Sequence, residues 1–212
     1  MQNVTLWGET LRLLVELSAT AAFALSGILE GARKRLDAVG VVVVGFLAAF
    51  GGGTLRDLLL DQRPFFWVQH VGLLWGVLAL CVLAMLFLRT RHFEVTERAI
   101  QWPDALGLGL FTASGVHQAL LLDLPGLVAV LMGLVTGVAG GVMRDVVCND
   151  IPSAFRGHRP YTVCAFAGGW AYVGLWSAQA PGWLALVACV SITAGLRGLA
   201  LWRDWQLPQW RL

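Results

Sequence analysis

Residues 50–57 read F-G-G-G-T-L-R-D, and residues 138–145 read V-A-G-G-V-M-R-D. The two stretches are offset by 88 residues, and the correspondence extends outward from them without a gap. Phe23, Ser26 and Gly27 fall on Phe111, Ser114 and Gly115. Gly45 falls on Gly133, Arg56-Asp57 on Arg144-Asp145, and Pro64 on Pro152. Glu16 falls on Asp104. Chance supplies one or two such matches, but not an ungapped series in which GG-x-x-R-D-x6-P appears twice. The chain is a duplication.

Composition gives the class of the duplicated unit. Apolar residues make up 58% of the 212-residue chain and charged residues 13%. A soluble domain carries about 25% charged residues, because its surface must be solvated. Apolar runs close to the ~20 residues that cross a bilayer lie near 10–29, 38–60, 68–88, 103–122, 127–148, 160–179 and 182–202. The expected fold is an all-α membrane protein with seven transmembrane helices. It forms a single transmembrane domain over 1–212, with repeat one about 10–88, repeat two about 98–179 and a seventh helix about 182–202. Trp7, Trp67, Trp102, Trp183, Trp202 and Trp205 lie close to the ends of these runs, where an aromatic belt belongs. The boundary at L-L-D-L-P-G, between the fourth and fifth runs, is the weakest.

Charge then orients the spans. Arg33, Lys34, Arg35, Arg89, Arg91, Arg98, Arg156, Arg159, Arg203 and Arg211 fall on one side, against Arg12 and Arg63 on the other. The positive-inside rule places the rich side in the cytoplasm. The N-terminus is therefore expected outside and the C-terminus inside. The first run has no basic segment before it and reads as a retained helix, not a cleaved signal.

Several function classes find no support. A formal charge of +2 does not call for a nucleic-acid partner. Cys81, Cys148, Cys164 and Cys189 lack metal-ligand spacing and read as buried thiols. No nucleophile–base arrangement, Walker motif or dinucleotide fingerprint is present, so the expected protein is not an enzyme and has no cofactor.

Each half holds three helices, an odd number, so the second copy must enter the membrane from the opposite side. Inverted repeats of this kind recur in transporters, whose sites form where broken helices meet. The consecutive glycines weaken helices, and backbone groups freed in lipid are tolerated only inside protein or beside a water-filled cavity. The glycines therefore either open a conduit or let helices pack closely. Counting about 1.5 Å per residue along the helix places Arg56 near the outer interface and, by symmetry, Arg144 near the inner one. There each arginine could snorkel or bridge its neighbouring aspartate, as an anchor or as a gate at a mouth. Asp104 follows Trp-Pro and reads as a helix start. Ser26, Thr54, Ser114, His117, Gln118 and Arg197 are further polar residues inside apolar runs.

The elements A-F-A-L-S-G at 22–27, G-G-G-T-L-R-D at 51–57 and G-G-V-M-R-D at 140–145 resemble the trimeric intracellular cation (TRIC) channel family in its prokaryotic branch, also labelled as a glycine-transporter domain family. The resemblance spans residues 10–202. It implies a homotrimer with a potassium-conducting pore in each subunit, lined by second and fifth helices kinked at Gly51, Gly52, Gly53, Gly140 and Gly141. The ion pathway is expected to involve these glycines with Thr54, Arg56, Asp57, Arg144, Asp145, Ser26 and Ser114. Ala139 stands where a third glycine would complete the second copy. The permeant ion is potassium, and membrane lipids are the other expected partners. The absence of a long charged tail favours a bacterial plasma (inner) membrane protein. A secondary transporter of a small solute such as glycine suits the same repeat, and a non-conducting assembly is the third class.

Overall fold

Eight helices and no strand occur among the described residues, 9–91, 96–155, 160–203 and 205, of the computed structural model. Trp7, Arg156, Arg159, Arg211 and the side chains of Arg89 and Arg91, used above for the belt and the charge balance, lie outside them. The helices are α1 (Glu9–Arg33), α2 (Ala38–Leu59), α3 (Phe66–Gln69), α4 (Val71–Arg91), α5 (Glu97–Leu121), α6 (Gly126–Val147), α7 (Thr162–Ser177) and α8 (Gly182–Trp202).

Local chemistry sets their ends. The Asp37 side chain accepts from Gly40 N at 2.7 Å and caps α2, and Thr96 caps α5 through Ala99 N. Pro125 and Pro181 immediately precede α6 and α8, where a missing N–H costs nothing. Beyond the C-termini of α1, α2, α5 and α6, the chain turns through left-handed residues: Arg35 (φ 55°), Asp61 (50°), Asp123 (55°) and Asn149 (56°). These four positions form two pairs at the 88-residue offset. The same offset relates both ends of α1 to those of α5, and both ends of α2 to those of α6.

Three expectations change. The third apolar run is two helices, because the chain leaves helical geometry at His70 between α3 and α4. Asp104 is not at a helix start, because residues 97–102, among them Glu97, Arg98 and Gln101, add turns to α5 that an apolar window leaves out. α2 and α6 run as unbroken α-helix through Gly51–Gly53 and Gly140–Gly141, so the expected helix breaks are absent.

Among the described residues, four segments are long and apolar enough to cross a membrane: Thr10–Arg33, Ala38–Leu59, Gly126–Val147 and Gly182–Trp202. Val71–Phe87 is a shorter apolar helical segment. The core joins α1, α2, α5 and α6, with α7 and α8 packed on α5 and α4 on α1. Phe23 and Phe111, equivalent residues of the two halves, stack at 5.5 Å at its centre. A residue that meets its own equivalent marks a local two-fold relation.

Candidate functional site

The glycines of the repeated motif bring α2 and α6 together. A Cβ on Gly52 would collide with the carbonyl oxygen of Thr136, and one on Gly140 with that of Ala48. Thr136 and Ala48 are themselves equivalent, so the two collisions are one contact seen twice. Small residues let helix axes approach closely in lipid. Here they do so with both helical hydrogen-bond ladders intact, which is why no break is needed. The same pattern joins each half internally. A Cβ on Gly27 would stand 2.9 Å from Gly45 Cα, and one on Gly115 would stand 2.8 Å from Gly133 Cα.

One turn beyond the glycines, Arg56 and Arg144 are buried, with 0% and 2% exposure. Neither side chain snorkels; each instead bridges its neighbouring aspartate, the other arrangement that the sequence allowed. Helix length alone gave no sign that α1 and α5 would cover these side chains. Arg56 Nη1 donates to Glu16 Oε1 at 2.7 Å and to Ser114 Oγ at 2.8 Å, and its Nε donates to Asp57 Oδ1 at 2.9 Å. Ser114 Oγ donates to the same Glu16 oxygen at 2.6 Å. Asp57 Oδ2 accepts the Phe66 N–H at 2.8 Å, which ties the start of α3 to the cluster. The Phe66 ring lies over the Arg56 guanidinium, 5.4 Å from centroid to Cζ.

The second cluster repeats the first. Arg144 Nη1 donates to Asp104 Oδ1 at 2.6 Å and to Ser26 Oγ, and its Nε donates to Asp145 Oδ1 at 2.7 Å. Asp145 Oδ2 accepts from Ser153 N at 2.7 Å and from Ser153 Oγ at 2.9 Å. Each arginine thus takes its carboxylates from its own half and its serine from the other. Buried ions cost several kcal/mol to desolvate, and only near-complete pairing repays that.

The candidate residues divide accordingly. Ser26, Ser114, Arg56, Asp57, Arg144 and Asp145 converge in the two clusters. Gly53 abuts the Phe66 ring, and Gly141 borders Asp104 Oδ1, Arg144 Nη2 and Tyr161 OH. Thr54 stands apart: its hydroxyl donates to Phe50 O at 2.7 Å and accepts from Trp67 Nε1 at 3.0 Å. Gly51 faces the Met143 side chain, away from both clusters. Phe66, Tyr161 and Ser153 belong to the site but were not singled out in the sequence. Only the aligned prolines, Pro64 and Pro152, hinted that the turns after α2 and α6 fold back onto it.

A third, half-buried ion network joins the ends of α1, α5 and α6. Arg33 pairs with Glu30 at 2.8 Å, with Asp150 at 3.3 Å and with Glu97 at 3.5 Å, while Lys34 pairs with Asp150 at 2.7 Å.

This geometry can be set beside known proteins. The family model described as "Glycine transporter" matches twice, over residues 13–89 and 101–177, again 88 residues apart. A UPF0126 membrane protein of Vibrio cholerae is 37% identical over 168 residues, covering 79% of this chain and 70% of that protein. The UPF0126 inner membrane protein YadS of Escherichia coli K12 is 36% identical, covering 73% and 74% of the two chains. The crystal structure of the TRIC trimeric intracellular cation channel orthologue from Rhodobacter sphaeroides superposes with a TM-score of 0.86 at 31% identity, covering 92% of this chain and 100% of that one. The chain belongs to the TRIC family, in its prokaryotic branch. A second prokaryotic TRIC channel, solved in 0.5 M KCl, gives a TM-score of 0.86 at 26% identity over 94% of this TRIC-family chain. The motif glycines and the arginine clusters lie within the two segments that the family model matches.

Proposed function

We propose that this protein is a monovalent-cation channel with a potassium pathway in each subunit, passing between α2 and α6 beside the two arginine clusters. The observation that carries the reading is the likeness, over nearly the whole chain, to solved TRIC cation channels at 26–31% identity. The buried charge supports it, since ionisable residues held inside apolar helices are expensive and mark ion pathways. The pathway residues on this reading are Ser26, Arg56, Asp57, Ser114, Arg144 and Asp145, with Gly51, Gly52, Gly53, Thr54, Gly140 and Gly141 setting the spacing of the helices around them.

The same reading takes the domain as two inverted three-helix repeats plus α8, giving seven spans. α7 has 16 residues and reaches about 24 Å at 1.5 Å per residue, so it spans only with help from the residues flanking it. The assembly is a homotrimer in a bacterial inner membrane, with the N-terminus outside. Lipids are its natural neighbours, and an apolar cleft of about 440 Å³, lined by Phe46, Phe50, Leu58 and Leu74 among others, is sized for an acyl chain.

Recording from purified protein in a planar bilayer under a potassium gradient tests the proposal. Saturable counterflow of labelled glycine in vesicles, without current, would replace it with the transporter reading that the family description carries.

A further inference from the structure

The two clusters match in their contacts but not in charge. In the first, Arg56 meets two carboxylates, Glu16 and Asp57. In the second, Arg144 meets two, Asp104 and Asp145. With all groups ionised, each set carries one excess negative charge. α8, which lies outside the repeat, places a third buried arginine near the second set, against Tyr161 and not in an ion pair with Asp104 or Asp145; its Nε and Nη1 have no hydrogen-bond partner among the described residues. Arg197 is 2% exposed, and its guanidinium lies 4.7 Å from the centroid of the Tyr161 ring. The Tyr161 hydroxyl and Asp104 Oδ1 border the same space above Gly141. Because α8 lies outside the repeat, Arg197 has no counterpart in the first half, and among the described residues Glu16 is paired with Arg56 alone.

The first cluster also holds a bare oxygen. Arg56 Nη1, Ser114 Oγ and Gln118 Nε2 all donate to Glu16 Oε1, at 2.7, 2.6 and 3.3 Å. Glu16 Oε2 is buried with no hydrogen-bond partner, although the residue is only 4% exposed. One turn further along the same face of α1, the Thr20 hydroxyl is likewise buried and unpartnered. Arg12, one turn the other way, is exposed, and among the described residues Arg56 is the only cation paired with Glu16.

We propose that Glu16 Oε2, with the Thr20 hydroxyl, binds a monovalent cation, and that Arg197 takes the place of such an ion in the second half. A monovalent charge brings the first cluster to neutrality, whereas a divalent one would leave it positive. Two protein oxygens make a weak, exchangeable site, which suits an ion that must also leave. The inference rests on the channel reading for the identity of its ligand, but its tests read binding and need no conduction.

Crystals of the purified wild-type protein grown in RbCl, with anomalous scattering from rubidium, locate the ion without any substitution. The expected map has a peak in contact with Glu16 Oε2 and none at Asp104. Arg197→Gln, which removes the internal cation, is expected to add a second peak beside Asp104. In parallel, thermal unfolding in detergent is followed as KCl replaces N-methylglucamine chloride at constant ionic strength. The wild type and Asp104→Asn should gain a saturable rise in melting temperature. In Glu16→Gln the midpoint should move up by about tenfold, the equivalent of 1.4 kcal/mol, or vanish. No rubidium at Glu16, rubidium at Asp104 in the wild type, or Glu16→Gln responding to potassium as the wild type does would each overturn the proposal. A protein that conducts potassium without this site would keep the channel reading and lose only this one.

Discussion

Arg56 of the first half reaches Ser114 of the second, with Nη1 2.8 Å from Oγ, and Arg144 of the second half returns the contact to Ser26 of the first. The exchange couples the halves through α1 and α5. Hydrogen bonds to charged groups contribute about 1.5–3 kcal/mol, so Ser26→Ala and Ser114→Ala should each lower the melting temperature by several degrees. Arg56→Ala and Arg144→Ala should cost more, about 3–5 kcal/mol, because each leaves two carboxylates buried without their partner. Thermal melts of the four variants check the order. Serine variants as damaging as the arginine variants would show that the exchange carries more than the ion pairs do.

Gly52→Ala and Gly140→Ala should push α2 and α6 apart, since each new methyl meets a backbone carbonyl that cannot yield. Overpacking of this kind costs about 1–3 kcal/mol. Gly174→Ala and Gly195→Ala add a methyl where nothing lies within 4 Å, and should be neutral or gain up to about 1 kcal/mol of helix propensity. Melting temperatures of all four separate close approach from a general intolerance of glycine replacement.

Cross-linking in native membranes should end in a ladder that stops at three subunits. A ladder that stops at two would refute the trimer.

Reporter fusions at the C-terminus should be active in the cytoplasm. Activity confined to the periplasm would reverse the orientation drawn from Arg33, Lys34, Arg35 and Arg98.

Much of the fold was legible in the residues. The 88-residue offset read in the sequence reappears in the bounds of α1 and α5 and of α2 and α6, because the same turns follow each helix of a pair. Asp61 and Asn149 show why: short polar side chains tolerate the left-handed turn that ends each helix. The offset also paired Glu16 with Asp104 and Ser26 with Ser114. It could not say that each serine would serve the opposite arginine, since that depends on how the halves dock. Arithmetic along a helix placed Arg56 by depth, yet its burial is set by α1 and α5, which no single-helix count includes. The poor helix propensity of consecutive glycines left two readings open, a break that opens a conduit or close helix packing. The neighbouring helix against Gly52 and Gly140 overrides propensity, and only tertiary contact reveals it. Tyr161 and Arg197 lie where the repeat has no matching residue, so self-comparison passed over them.

On the channel reading, potassium crosses the membrane through this protein passively. The direct measurement is the current–voltage relation of purified protein in a planar bilayer with a tenfold KCl gradient. Discrete openings are expected, with a reversal potential near the potassium equilibrium value, about 59 mV for a tenfold gradient of a monovalent ion. Arg56→Ala and Arg144→Ala should alter the conductance or selectivity of the channels that survive. A reversal potential at the chloride value, or a silent bilayer from protein that is folded and shows saturable glycine counterflow, would contradict that reading.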